Sequence, residues 1–199
     1  IFGSNMKFKQ IYKLIVEGGN AVDAIPIEQA NIKATLASLQ KEILTPLKLN
    51  SQDEDWALLG SAGKKSAPSG DLDIAVNLLS LLKIDKLKDQ NDVIKYVESF
   101  TKKKGLQVTV SAGIGVVSFS FPIVGQDGEV QVDLMITDDM KFTTWAYFSP
   151  SDTESRFKKM GFYRGILLST VISTVGTKVT KTFEAVSYTH LRAHETHEH

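Results

Sequence analysis

Leu59-Gly60-Ser61, then nine residues, then Asp71-Leu72-Asp73-Ile74 constrain this chain more than any other stretch. Residues i and i+2 of a strand point the same way. A strand over 71–74 therefore sets Asp71 and Asp73 side by side, with Leu72 and Ile74 on the opposite face. Two acids that close repel each other unless a cation sits between them. A third acid, Asp133, lies in the strand-like run Val130-Gln131-Val132-Asp133-Leu134-Met135-Ile136. Three carboxylates on neighbouring strands make a hard-oxygen site suited to Mg²⁺, which usually also binds substrate phosphates.

Composition narrows the classes that remain. The 199 residues suit one domain or slightly more. Hydrophobic residues are 42% and charged residues 23%, enough for a packed core. Basic and acidic residues balance at 23 each, which argues against a wholesale nucleic-acid coat but allows a local basic patch. With no cysteine, disulfides and thiolate zinc sites are excluded. No apolar run reaches the roughly 18–20 residues of a membrane span. The longest, Gly165 to Val175, is interrupted by Ser169, Thr170, Ser173 and Thr174. No secretory pattern is present, so the cytoplasm is the expected location.

Both ends read as non-native. Ile1-Phe2-Gly3-Ser4-Asn5 precedes Met6, a plausible start, and the stretch from Val186 to Thr196 resembles translated sequencing-adaptor DNA. All four histidines, His190, His194, His197 and His199, fall in this tail. Their spacing fits no single face, so a metal site there is not expected.

Periodicity predicts helices over 6–17 and from about Ala24 to Leu44, the second with Pro26 in its first turn and Pro46 as its stop. Strands are expected over 56–59 and 71–76, separated by a small-residue loop, 60–70. A short helix or turn over 76–82 follows, then an amphipathic helix over 91–104 closed by Gly105. Strands over 106–110 and 116–124 precede a turn at Gln126-Asp127-Gly128-Glu129, which leads into the strand carrying Asp133. The pattern as a whole implies an α+β (mixed α/β) fold.

Leu-Gly-Ser, nine residues, Asp-Leu-Asp-Ile and a later Val-Asp-Leu resemble the pattern of DNA polymerase β-like nucleotidyltransferases, over Trp56 to about Ile136. The chain looks most like the small viral and bacterial members. The resemblance implies a short mixed sheet backed by helices. It also implies a Gly-Ser turn opening a phosphate-holding helix, and two Mg²⁺ (Mn²⁺ as an alternative) on the three acids. The activity implied is transfer of NMP from an NTP, ATP among them, to an acceptor hydroxyl, with loss of pyrophosphate. The acceptor would be RNA, a small molecule or a protein. The segments implied are an N-terminal helical region over 1–50, a catalytic domain over 51–183 and a non-native tail over 184–199.

Elementary chemistry agrees with these roles. Gly60 lets the backbone approach a phosphate, and Ser61 offers a hydroxyl and an N–H at a helix start. Asp71, Asp73 and Asp133 suit a two-metal site. Lys64 and Lys65 lie between them in sequence, where they would meet a triphosphate. Arg164, beside the apolar stretch, is a further nucleotide-binding candidate, whereas the run Arg156-Phe157-Lys158-Lys159 reads as a solvated helix face.

Other readings are weaker. Gly60 to Ser66 superficially resembles a phosphate-binding P-loop, but Leu58 stands where the first glycine belongs and Lys65 where Ser or Thr belongs. The run Lys102-Lys103-Lys104 suits a helix C-terminus. Trp56 and Trp145 read as core, and Asp138-Asp139 as a turn or helix cap. The competing function is a catalytically inactive module of the same fold that binds a nucleotide or a partner. A third is one half of a toxin–antitoxin pair acting on a protein or tRNA.

Overall fold

The structure is a computed structural model that describes residues 21–60 and 62–147. The expected helix over 6–17, Ser61, the segment with Arg156 and Arg164, the apolar stretch 165–175 and the tail lie outside these residues.

The fold is mixed α/β. Five strands, β1 (Trp56–Leu58), β2 (Asp71–Asn77), β3 (Val108–Ser111), β4 (Val116–Pro122) and β5 (Glu129–Thr137), form one sheet in the order β1-β2-β5-β4-β3. The β2–β5 pair is parallel and the others antiparallel. Parallel neighbours need a long crossover. Here the chain between them supplies two helices and two strands: α2 (Leu78–Leu81), α3 (Gln90–Lys103), β3 and β4.

One sheet face is apolar throughout. Leu72, Ile74 and Val76 of β2, Val117, Phe119 and Phe121 of β4, and Val130, Val132, Leu134 and Ile136 of β5 share a core. α1 (Gln29–Leu39), with Ile32 and Leu39, and α3, with Val93, Ile94 and Val97, close over this face. Burial of each such side chain stabilises the fold by roughly 1.5–3 kcal/mol. The opposite face is apolar only at one end, where Ala57, Leu59, Ala75, Val116, Met135 and Met140 cluster. The remainder of that face carries the acids.

Most elements fall where periodicity sets them, with three differences. The second expected helix starts at Gln29 instead of Ala24. Ile27 is fully buried and pairs with Ser69 through backbone bonds of 2.8 and 2.9 Å, which holds the lead-in extended. Its far end continues as a π-helical turn over Gln40–Leu44. Trp145 is not core: it is 49% exposed on α4 (Met140–Ala146), stacked against Phe142 at 5.8 Å, whereas Trp56 is buried. The loop expected over 60–70 is present, and the described residues 62–67 do not form the helix that the family resemblance implies there.

Caps account for several boundaries. The Asp139 carboxylate accepts from Phe142 N–H at 2.8 Å and starts α4, as a helix cap. Asp89 starts α3 in the same way, and Lys102 and Lys103 occupy its last turn.

Candidate functional site

Register brings the acids together. In the parallel ladder Asp73 stands opposite Asp133, and Asp71 opposite Gln131. Across the antiparallel ladder Asp133 faces Ser118 and Gln131 faces Ser120. Alternation puts all six side chains on the face away from the main core. Carboxylate oxygens of Asp71, Asp73 and Asp133 lie within 4.8 Å of one another. The chain therefore forms the three-acid cluster that the strand period predicts.

The cluster is electrostatically costly without a cation. Burial pushes the Asp73 carboxyl well above the ordinary aspartate range, and the charges of Asp71 and Asp133 push it further. Burial raises Asp133 to about 6, with Asp71 adding to the rise, while hydrogen bonds from Ser118 and Gln131 oppose it. Tyr147, half-buried at the end of α4, has its phenol pushed up by burial and by the charge of Asp73.

The donor set selects the cation. All three candidate ligands are carboxylates, no cysteine exists in the chain, and every histidine lies in the tail beyond residue 189. Oxygen-only donors fit Mg²⁺ or Mn²⁺ and disfavour softer metals. Mutual repulsion among closely spaced, buried carboxylates is relieved when a divalent cation joins them. The residues thus fit the ion the sequence implied.

Two donors hold Asp133. The Gln131 side-chain amide donates to both Asp133 oxygens, at 3.0 and 3.1 Å, and the Ser118 hydroxyl also bonds to it. The Gln131 carbonyl oxygen accepts from Ala21 N–H at 2.7 Å. Neither Gln131, Ser118 nor Tyr147 was singled out by sequence. Gln131 was legible, because it sits two residues before Asp133 on the same strand face. Ser118 needs the strand register, and Tyr147 carries no local signal.

The loop residues are placed as follows. Gly60, two residues beyond β1, has φ +65° and donates its N–H to the Tyr147 carbonyl at 3.2 Å. That bond ties the exit of β1 to the end of α4. Residues 62–67 form turns and bends, so no helix starts after Gly60. Gly63 at φ +75° reverses the chain there, and Gln29 accepts its N–H at 2.9 Å. Lys64 and Lys65 are half-buried in this loop, and burial lowers the Lys64 ammonium. Ser61 and Arg164 lie outside the described residues.

No protein-family model matches the chain, and no curated protein does. Among solved structures it is similar to the Cid1 poly(U) polymerase with Mg and 3'-dATP bound, at a TM-score of 0.38 and 16% identity. That similarity covers 70% of this chain and 38% of the polymerase chain, so the chain spans well under half of the polymerase's length. The five-stranded mixed sheet with its helices makes the fold mixed α/β. Among the described residues no helix is long and apolar enough to cross a membrane.

Proposed function

We propose that this chain is a Mg²⁺-dependent nucleotidyltransferase that moves NMP from an NTP to an acceptor hydroxyl. One observation carries the reading: three carboxylates from two parallel neighbours converge within 4.8 Å on a partly buried sheet face. Asp71, Asp73 and Asp133 would hold the ions. When bound, the two ions would stabilise the attacking and leaving oxygens of an in-line displacement at the α-phosphorus. Gly60, Ser61, Lys64, Lys65 and Arg164 are proposed to bind the nucleotide. Cationic Lys64 and Lys65 suit the phosphates, and a glycine just beyond β1 admits them close to the backbone. The main core behind the acids keeps the carboxylates on rigid strands, so their spacing does not relax when substrate leaves.

The test is a thermal-shift titration with Mg²⁺ and each NTP, with Asp73→Ala as control. Stabilisation by NTP that needs Mg²⁺ and vanishes in the variant supports the reading, and turnover then identifies the acceptor. Stabilisation without turnover on RNA, protein or small-molecule hydroxyls favours the inactive binding module. Equal behaviour of both proteins overturns the site.

A further inference from the structure

The geometry points to Gln131 as a positioning residue that aims the Asp133 carboxylate at the metal, itself aimed by the backbone of residue 21. This rests on the metal-binding reading above.

Gln131 is 8% exposed and lies on β5 between the acid cluster and the polar side of β4. A primary amide has one accepting end and one donating end. Ala21 N–H takes the accepting end at 2.7 Å, so the donating end must face Asp133. The amide cannot turn over without stranding the Ala21 N–H and setting its oxygen against a carboxylate. Asp133 is thereby fixed in rotation about its last side-chain bond, since the donor touches both of its oxygens.

Residues 21–23 are anchored independently of Gln131. Thr109 Oγ1 donates to the Ala21 carbonyl at 2.8 Å, and the Gln107 side chain accepts from Asp23 N–H at 3.0 Å. Val22 is buried, 3% exposed. Beneath this crossing Ser118 and Ser120 are 5% and 1% exposed. The segment thus bridges β3 and β5 over β4, closes the polar face on that side and holds the amide.

The experiment is a Mn²⁺ titration of the full chain without nucleotide, read by calorimetry or by the signal of free Mn²⁺, on wild type and Gln131→Met. Melting without metal is recorded alongside. Met conserves length and removes both ends of the amide. Outer-shell partners of this kind change metal affinity by about 10–100-fold. The expected result is a loss of that size, with metal-free melting shifted by no more than a few degrees. Unchanged or tighter Mn²⁺ binding overturns the inference, the latter by showing that the amide competes with the ion. If Gln131→Met does not fold, Ala21→Pro serves instead: it removes the N–H that orients the amide while fixing φ at residue 21, and an unchanged affinity there overturns the inference equally. Absence of Mn²⁺ binding in wild type overturns the metal reading itself, and the inference with it.

Discussion

Asp73 and Asp133 face each other across a parallel ladder, one strand apart, with their carboxylates on the same side of the sheet. Like charges in that relation are a liability to folding unless something is bound between them. The same relation would make the proposed site: two neighbouring strands fix the spacing, and Asp71 would add the third ligand from the start of β2.

Removing one acid should stabilise the metal-free protein while abolishing its response to metal. In Asp133→Asn an amide replaces a carboxylate whose ionisation is opposed by burial and by Asp71. The rise from 3.8 to about 6 corresponds to roughly 1–3 kcal/mol at neutral pH. Urea unfolding at pH 7 without metal should show a gain of about that size. Mg²⁺-dependent NTP turnover should fall to background in Asp71→Asn, Asp73→Asn and Asp133→Asn alike. Full turnover in any of the three would remove that residue from the site.

The pH dependence has a defined sign. Folded Asp73 and Asp133 hold their protons more tightly than in the unfolded chain. The Asp133 contribution is fully present below the unfolded value of 3.8 and is lost as pH rises through about 6, and Asp73 adds a loss of the same sign. The metal-free protein should therefore lose stability between about pH 4 and pH 7, and Mg²⁺ should restore more of it as pH rises. Melting curves with and without Mg²⁺ at several pH values check this. Asp133→Asn should flatten the metal-free slope, and an identical slope would contradict the assignment.

How much of this was legible in the sequence depends on how local each signal is. Asp71, Asp73 and Asp133 could be read because a period of two and an apolar setting fix the face of a strand residue. Gln131 obeys the same rule. Its role stayed hidden because the Ala21 contact joins residues 110 apart in sequence. Ser118 and Tyr147 depend on which strands pair and where α4 docks, which no local pattern states. The start of α1 was misplaced because Ile27 pairs with Ser69, a tertiary preference stronger than the allowance for Pro26 in a first turn. The helix expected after Gly60 came from the family resemblance, and Gly63 with left-handed φ turns the chain instead.

Leu72 separates stability from chemistry. It lies between Asp71 and Asp73 but points to the other face, fully buried in the main core. Leu72→Ala should cost about 2–5 kcal/mol by lost burial and cavity formation. Because the acids lie on the opposite face, Mg²⁺ should still raise the melting temperature of the folded variant by about the wild-type increment. Loss of the metal response in a folded Leu72→Ala protein would show that the two faces are coupled.

Asp55 should behave in the opposite sense to the cluster. Its carboxylate accepts from Asn50 and Ser51 N–H, each at 2.9 Å, and from the Ser80 hydroxyl at 2.6 Å. Burial works against its ionisation, but these bonds, Ser80 first, and the charge of Lys83 outweigh it and hold the carboxyl below the ordinary range. The contact ties the loop before β1 to α2, the helix that follows β2, and so braces the pair of strands that opens the site. Asp55→Ala removes three hydrogen bonds, two of them from exposed backbone N–H groups that water can then satisfy, and should cost about 1 kcal/mol at neutral pH. A depressed folded value means the contribution is present above 3.8 and disappears as pH falls through the still lower folded value. Urea unfolding of wild type and variant should therefore differ at pH 7, and the difference should shrink as pH falls below 3.8. A gap that persists unchanged at the lower pH would assign the effect to packing instead of to the charged hydrogen bonds.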